Sequence, residues 1–290
     1  MRYLLIYNPV SGRGKALAMA KRIAALLKAR NHQAGLMATE PDPKDFRAKC
    51  LQMDKDIIAV VVGGDGTLRY FIQNMGDVAG VAFYGMGTAN VLRFELGYPN
   101  QPEAFVDVLE NPRTRLIRPG LIDQQTPFIM MYSVGMDSFV LSKASQTMKN
   151  RIGKLAFLWP ALKSLFYRAP KFQIALDDQK PTEANFAIVS RIRYYAGPFK
   201  LTPMANPTSD GFQVVMVRGS GFWAFLKFFI ALVLGRLKND GSTTITFAKK
   251  VHFPDLPKGL YAQMDGDPLP KAFTTLSVST QAIPFLVPSV

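Results

Sequence analysis

Gly63, Gly64, Asp65, Gly66 and Thr67 are the residues of this 290-residue chain best suited to chemistry, and they follow six apolar, mostly β-branched residues, Ile57 to Val62. Such a run reads as a buried parallel strand that ends in a glycine turn. Leu68, Phe71, Ile72 and Met75 then fall at helical spacing, with Thr67 placed to cap the first turn. Strand, glycine turn and helix start together make an anion site: glycines let backbone N–H groups approach a phosphate, and the helix dipole favours negative charge there. An acid inside that turn is unfavourable beside phosphate unless it manages a metal or a proton. Asp65 is therefore the first candidate for chemistry. The plain alternative is an acid that caps the next helix while the glycines make a tight corner.

Two more predicted strands end in the same way. Tyr3 to Tyr7 runs into Asn8, Pro9, Val10, Ser11 and Gly12, and a helix marked by Ala16, Ala20, Ile23 and Leu27 follows. Gly80 to Tyr84 runs into Gly85, Met86, Gly87, Thr88, Ala89 and Asn90. Between them the pattern predicts a strand over Ala34 to Ala38, a turn over Pro41 to Pro43 and a helix over Phe46 to Met53. In an open parallel sheet, ligands bind outside the carboxyl ends of the strands, so Asn8, Asp65 and Asn90 are expected to converge on one crevice.

From Arg113 to Gly120 the texture changes. Short strand-like runs then alternate with turns, at Phe128 to Val134, Phe172 to Leu176, Phe186 to Ile192, Phe212 to Val217, Thr243 to Phe247 and Thr274 to Thr280. This spacing predicts an antiparallel sandwich or barrel. Asp210-Gly211 and the turn Met264 to Pro268 place acids at its corners, where ordinary hairpin chemistry is the plain reading.

The composition is globular, with 48% hydrophobic and 19% charged residues. One cysteine, Cys50, excludes an intrachain disulfide and suits a reducing compartment, and two histidines with one cysteine argue against zinc. The opening MRYLLIYNPV is too short an apolar run for a signal peptide. The longest apolar stretch, Phe222 to Gly235, would span roughly 21 Å as a helix against a hydrocarbon core of about 30 Å, so it does not cross a membrane.

A net charge of +14 and a pI near 9.8 call for an anionic partner. No nucleic-acid reader motif accompanies the charge, which argues against that partner. Its distribution points to an anionic membrane surface. Lys143, Lys149, Arg151, Lys154, Lys163, Arg168 and Lys171 lie in a stretch without acids and interleave with Phe157, Trp159, Leu162, Leu165, Phe166 and Tyr167. Arg218, Lys227, Arg236 and Lys238 likewise accompany the apolar run that contains Trp223. The plain alternative is a solvated helix face whose aromatics belong to the core.

Taken together, Asn8-Pro9-Val10-Ser11-Gly12, Gly63 to Thr67, Gly87-Thr88-Ala89-Asn90, Ser209-Asp210-Gly211 and Asp265-Gly266-Asp267 resemble, in order and spacing, the diacylglycerol kinase catalytic-domain family. That family includes YegS-like bacterial lipid kinases and is related to sphingosine and ceramide kinases; the resemblance covers essentially the whole chain. It implies an α/β plus all-β architecture: a Rossmann-like ATP-binding domain over 1–120 and a β-sandwich lipid-substrate domain over 121–290, with a cleft between them and room for the last residues to pack back on the first domain. It implies ATP and Mg2+ as cofactors and a lipid hydroxyl as acceptor, at the inner face of a membrane on which a cytoplasmic protein sits peripherally. Asn8, Ser11, Gly12, Gly63, Gly64, Gly66, Thr67, Gly87, Thr88 and Asn90 would line the nucleotide phosphates. Asp65 and Asp123 would belong to the acid and magnesium network, Asp210 to a structural magnesium site, and Asp267 would be the base.

Two positions depart from the family pattern. Val91 stands where many members carry an acid, and Asp267 replaces the glutamate of the usual Asp-Gly-Glu turn. Both motivate a second reading, a lipid-binding protein that has lost catalysis. A soluble NAD-type kinase is a third, disfavoured because Val91, Leu92 and Arg93 follow Asn90 in place of a glycine-rich continuation. A homodimer is left open.

Overall fold

Parallel pairing of the predicted strands builds the first of two units into which the chain divides, Met1–Ile117 with Ala282–Val290, the second being Arg118–Gln281. The computed structural model describes residues 1–143 and 167–289, apart from the side chains of Lys143 and Phe222. The basic, aromatic stretch from Lys149 to Phe166 lies outside the described residues.

In the first unit the chain runs β1 (Arg2–Tyr7), α1 (Ala16–Ala29), β2 (Gln33–Ala38), α2 (Pro43–Leu51), β3 (Ile57–Gly63), α3 (Asp65–Asn74), β4 (Gly80–Gly85), α4 (Val91–Leu96), α5 (Pro102–Glu110) and β5 (Arg113–Ile117). The β-branched residues Val60, Val61 and Val62 have no exposed surface, each contributing about 1.5–3 kcal/mol of burial, and this fixes β3 at the middle of the sheet. Strand order is β2-β1-β3-β4, then the chain's last strand (Ile283–Val287), then β5. All neighbours are parallel except β5 and the last strand, which run antiparallel. The order reverses direction between β1 and β3, a topological switch point of the kind at which doubly wound sheets bind ligands.

Tyr98 ties the last strand in: its buried hydroxyl donates to the Leu286 carbonyl at 2.7 Å. Tyr98→Phe is expected to lower stability by about 1 kcal/mol, read from the midpoint of urea unfolding. Cys50 is buried, which pushes its thiol up to about 11 and leaves it a core residue without nucleophilic character.

Two local expectations change. The helix after the central motif starts at Asp65, with Gly64 as N-cap, so Thr67 sits inside the helix, buried, and does not cap it. Helix α2 starts at Pro43 because Asp42 caps it, accepting the Lys44 N–H at 2.7 Å, so the proline belongs to the helix and not to the turn before it.

The second unit is an antiparallel sandwich. Its strands are β6 (Gly120–Ile122), β7 (Thr126–Phe128), β8 (Met131–Val134), β9 (Phe172–Leu176), β10 (Thr182–Ala184), β11 (Phe186–Ser190), β12 (Tyr194–Tyr195), β13 (Phe199–Lys200), β14 (Phe212–Val217), β15 (Thr243–Ala248), β16 (Val251–His252), β17 (Ala262–Met264), β18 (Asp267–Leu269) and β19 (Thr275–Val278). Two helices accompany them, α6 (Met136–Lys143) and α7 (Phe222–Val233). Six strands order as β10-β9-β16-β19-β6-β7, six as β15-β14-β11-β8-β17-β18, and β12 pairs with β13. Alternate apolar residues from both sheets, among them Ile122, Phe172, Leu276, Tyr132, Val189 and Val214, form one core. The single strand predicted over Phe128 to Val134 is broken at Ile129 and Met130, whose N–H groups turn to the Asp265 carboxylate.

Candidate functional site

The turns that follow β1, β3 and β4 meet at the switch point of the first sheet. After β1, the Asn8 side chain accepts the Val10 N–H at 3.1 Å and the Asn8 carbonyl accepts Ser11 N–H at 3.0 Å, folding the chain tightly. Ser11 Oγ then lies 3.1 Å from Thr67 Oγ1 of α3, so the first two turns touch. Gly12 has φ +59°, and a Cβ there would stand 2.9 Å from Met86 in the third turn.

The second and third turns are laced more closely still. Met86 N–H donates to the Gly63 carbonyl at 2.7 Å. A Cβ on Gly87 would lie 2.7 Å from Gly64 Cα, so only two glycines allow this approach. Asn90 takes the left-handed conformation, φ 47°, and turns its side chain back: Oδ1 accepts Gly87 N–H at 2.6 Å and Nδ2 donates to the Gly87 carbonyl at 2.9 Å. That clamp sets the Gly87-Thr88-Ala89 loop and leaves Asn90 unable to cap α4. Asp65 does so from the neighbouring turn, its two carboxylate oxygens accepting Val91 N–H at 2.9 Å and Leu92 N–H at 3.2 Å. The plain reading of Asp65 as a cap is thus real, but for α4 and not for its own helix. Removing the clamp with Asn90→Ala costs two hydrogen bonds, about 2 kcal/mol net, and is expected to lower the midpoint of urea unfolding by about 1 M.

The start of α3 carries no side-chain cap. Its first N–H groups and the dipole behind them are what an anion would use. Val91, the position where an acid was expected, is buried with Leu92 and Leu96 in the unit's core. A carboxylate placed there in this chain would be desolvated.

In the second unit, Asp265 and Gly266 form the two-residue turn between β17 and β18, with φ 50° and 87°, the geometry of a type I′ hairpin. The buried Asp265 carboxylate accepts three backbone N–H groups, from Ile129 at 2.8 Å, Met130 at 2.8 Å and Met131 at 2.9 Å. Asp267, half-buried, opens β18 just beyond this anchored turn. A buried relay supports it from behind. Gln263 accepts Gly266 N–H at 2.8 Å and donates to Ser133 Oγ at 2.8 Å and to Asp137 at 3.4 Å, while Tyr195 donates to Asp137 at 3.2 Å. Burial pushes the Asp137 carboxyl up, against the bonds from Ser133, Ser138 and Gln263 that draw it down.

Asp210 and Asp123 stand elsewhere in that unit. Asp210 is exposed and pairs with Lys249 at 2.6 Å, which holds its carboxyl below the usual range. Its loop hangs on Arg191, a fully buried guanidinium that donates to the carbonyls of Arg118, Pro207, Ser209 and Gly211; burial lowers that arginine to about 10. Asp123 sits in the β6–β7 turn of the other sheet, where its carboxylate accepts Thr275 N–H at 3.1 Å. Along their shared sheet β14, which follows Asp210, and β18, which carries Asp267, are four strand spacings apart, about 19 Å. Among the described residues no group of three acidic, histidine or cysteine side chains converges to hold a metal ion.

Asp265, Asp137 and Arg191 were not singled out as site residues by sequence. A carboxylate that binds backbone, or an arginine that binds carbonyls, leaves no periodic signal.

A Rossmann-like sheet with three laced glycine turns at its switch point, in a chain that continues into a β-sandwich, defines an α/β plus all-β architecture. The chain belongs to the diacylglycerol kinase catalytic-domain family: residues 2–122 match the diacylglycerol kinase catalytic domain and residues 130–287 the YegS C-terminal NAD kinase beta sandwich-like domain. It is similar to "Putative lipid kinase YtlR" of Bacillus subtilis, 24% identical over 275 residues, 87% of this chain and 88% of that one. It is also similar to "Probable lipid kinase YegS-like" of Pseudomonas fluorescens, 33% identical over 103 residues, 34% of each chain. Its fold matches the "Crystal structure of a putative diacylglycerol kinase from Bacillus anthracis str. Sterne" with a TM-score of 0.76 at 18% identity, covering 99% of this chain and 98% of that one.

Proposed function

We propose that this protein transfers the γ-phosphate of ATP to the hydroxyl of a membrane lipid, diacylglycerol or a relative of it. The observation that carries the reading is the convergence of the turns after β1, β3 and β4 on one another at the switch point. Phosphoryl transfer asks little covalent chemistry of a protein: held phosphates, neutralised charge and a positioned acceptor. The uncapped start of α3 and the glycine-only contact between Gly64 and Gly87 suit a polyphosphate, because backbone N–H groups are reachable there and no Cβ intervenes.

Magnesium suits the same place. The ion is commonly held by one or two carboxylates with substrate phosphates, and Asp65 is the carboxylate among these turns. When bound it neutralises charge on the phosphates. Asp210 pairs with Lys249 through one carboxylate oxygen, a pairing that an ion at Asp210 would have to displace. Asp267 is the acid we assign to accept the hydroxyl proton of the lipid. Its backbone is set by the Asp265 anchor and the Gln263 bond to Gly266. A lipid acceptor brings the protein to the surface of a membrane, and a net charge of +14 suits an anionic one at its cytoplasmic face.

The test offers magnesium and labelled ATP together with two acceptors, diacylglycerol in mixed micelles and NAD in solution. The reading expects label in the lipid and none in NAD. Label in NAD alone, or ATP bound with no label in any of a panel of lipids, would overturn it.

A further inference from the structure

We propose that α7 is a docking helix that lies in the headgroup layer of an anionic bilayer with Trp223 in the interface. The inference rests on the lipid-acceptor reading for the kind of surface and adds the element that meets it. Strands β14 and β15 are antiparallel neighbours, with Val217 opposite Thr243. A short turn would join them, yet residues 218–242 intervene and carry α7, the most apolar of the described helices.

One face of that helix is spent on the sandwich. Phe228 and Leu232 are buried, and Phe228 packs edge-on against Phe186 with ring centroids 5.3 Å apart. The opposite face is open. Trp223 is 77% exposed, Ile230 47%, Val233 46% and Leu234 57%, residues that recur at helical spacing along one stripe. Cations flank the helix on both sides in the chain. Arg218, Arg236 and Lys238 are exposed, and a pocket of about 230 Å3 beside the helix sets Arg218 and Lys227 against Trp223. The acid that answers them, Asp240, pairs with Lys227 at 2.9 Å.

An apolar stripe flanked in the chain by cations, with a tryptophan on it, matches the interface of an anionic bilayer, where indole sits at headgroup level and basic side chains meet lipid phosphates. At twelve residues the helix is about 18 Å long, and none of the described helices is long and apolar enough to cross a membrane. It therefore lies in the plane of the surface.

The chain has two tryptophans, so Trp159→Phe leaves Trp223 as its only one. That protein is mixed with vesicles of phosphatidylcholine alone, or with phosphatidylglycerol added, carrying brominated acyl chains. The proposal expects a blue shift and quenching of Trp223 with the anionic vesicles, and partition weakened about tenfold or more by Ile230→Glu with Val233→Glu. A second variant, Arg236→Glu with Lys238→Glu, keeps the apolar stripe and is expected to lose the part of binding that falls with added salt. Unmoved Trp223 emission while the protein sediments with vesicles, or partition of the Ile230/Val233 variant equal to that of the parent, would overturn the proposal. So would a parent that is dimeric without vesicles and becomes monomeric with those substitutions, since the stripe would then cover a second copy. Phosphate transfer to a dispersed short-chain diacylglycerol is read in parallel. Its absence from every protein defeats the kinase reading alone, and its retention in the α7 variants shows that they fold.

Discussion

Asp65→Asn is expected to lower phosphate transfer on the order of a thousandfold while leaving most of the fold's stability in place. In the proposed kinase that one carboxylate has two jobs. As the cap of α4, Asp65 accepts Val91 and Leu92 N–H groups, and loss of such a cap costs about 1 kcal/mol. Asparagine keeps one acceptor oxygen of nearly the same shape, so one of the two capping bonds is retained, while its NH2 cannot accept the other N–H. As the charge among the phosphate turns, however, asparagine retains nothing, and removal of a single preorganised electrostatic contribution at a transferring group costs about 10²–10³ in kcat. Steady-state kinetics beside thermal unfolding tell the two jobs apart. A variant that unfolds a few degrees lower yet transfers phosphate at nearly the parent rate would reduce Asp65 to a cap.

Asp265→Ala is expected to be the most destabilising single change in the acidic hairpin. The carboxylate satisfies three backbone N–H groups in a site where Asp265 is 3% exposed. Each donor left buried without an acceptor costs about 1–3 kcal/mol, so a total on the order of 4 kcal/mol follows even when the losses overlap. With a urea slope of about 2 kcal/mol per molar, the midpoint should fall by roughly 2 M. Asp267→Ala, two residues away and half-buried, is expected to shift that midpoint by less than a quarter as much while abolishing transfer. Equal midpoints for Asp265→Ala and the parent would mean that the break between β7 and β8 has another cause.

Much of the first unit was legible because its signals are local. The run Ile57 to Val62 could hardly be anything but a buried strand, and glycines after β1, β3 and β4 marked the turns that the fold brings together. What periodicity could not supply was long-range pairing. The last strand, Ile283–Val287, enters the first sheet between β4 and β5, with Ile283 opposite Ile117. Nothing within either segment specifies a partner so distant in sequence. The same holds for the site. The sequence pointed to Asp65, but not to its role beneath α4, since that depends on Asn90 having turned its own side chain onto Gly87. It pointed to Asp267 and gave Asp265 of the same motif no role, since that role lies in three N–H groups far earlier in the chain. Val91, read as a departure from the family pattern, has its side chain buried, which its sequence position did not foretell.

In the proposed kinase, three turns of one sheet hold the phosphates of ATP. Hydrogen exchange of the backbone amides, followed with and without ATP and magnesium, tests it peptide by peptide. Nucleotide should slow exchange together in residues 8–16, 63–69 and 86–92. Protection confined to other segments, or no protection of these three under conditions where ATP is bound, would contradict it.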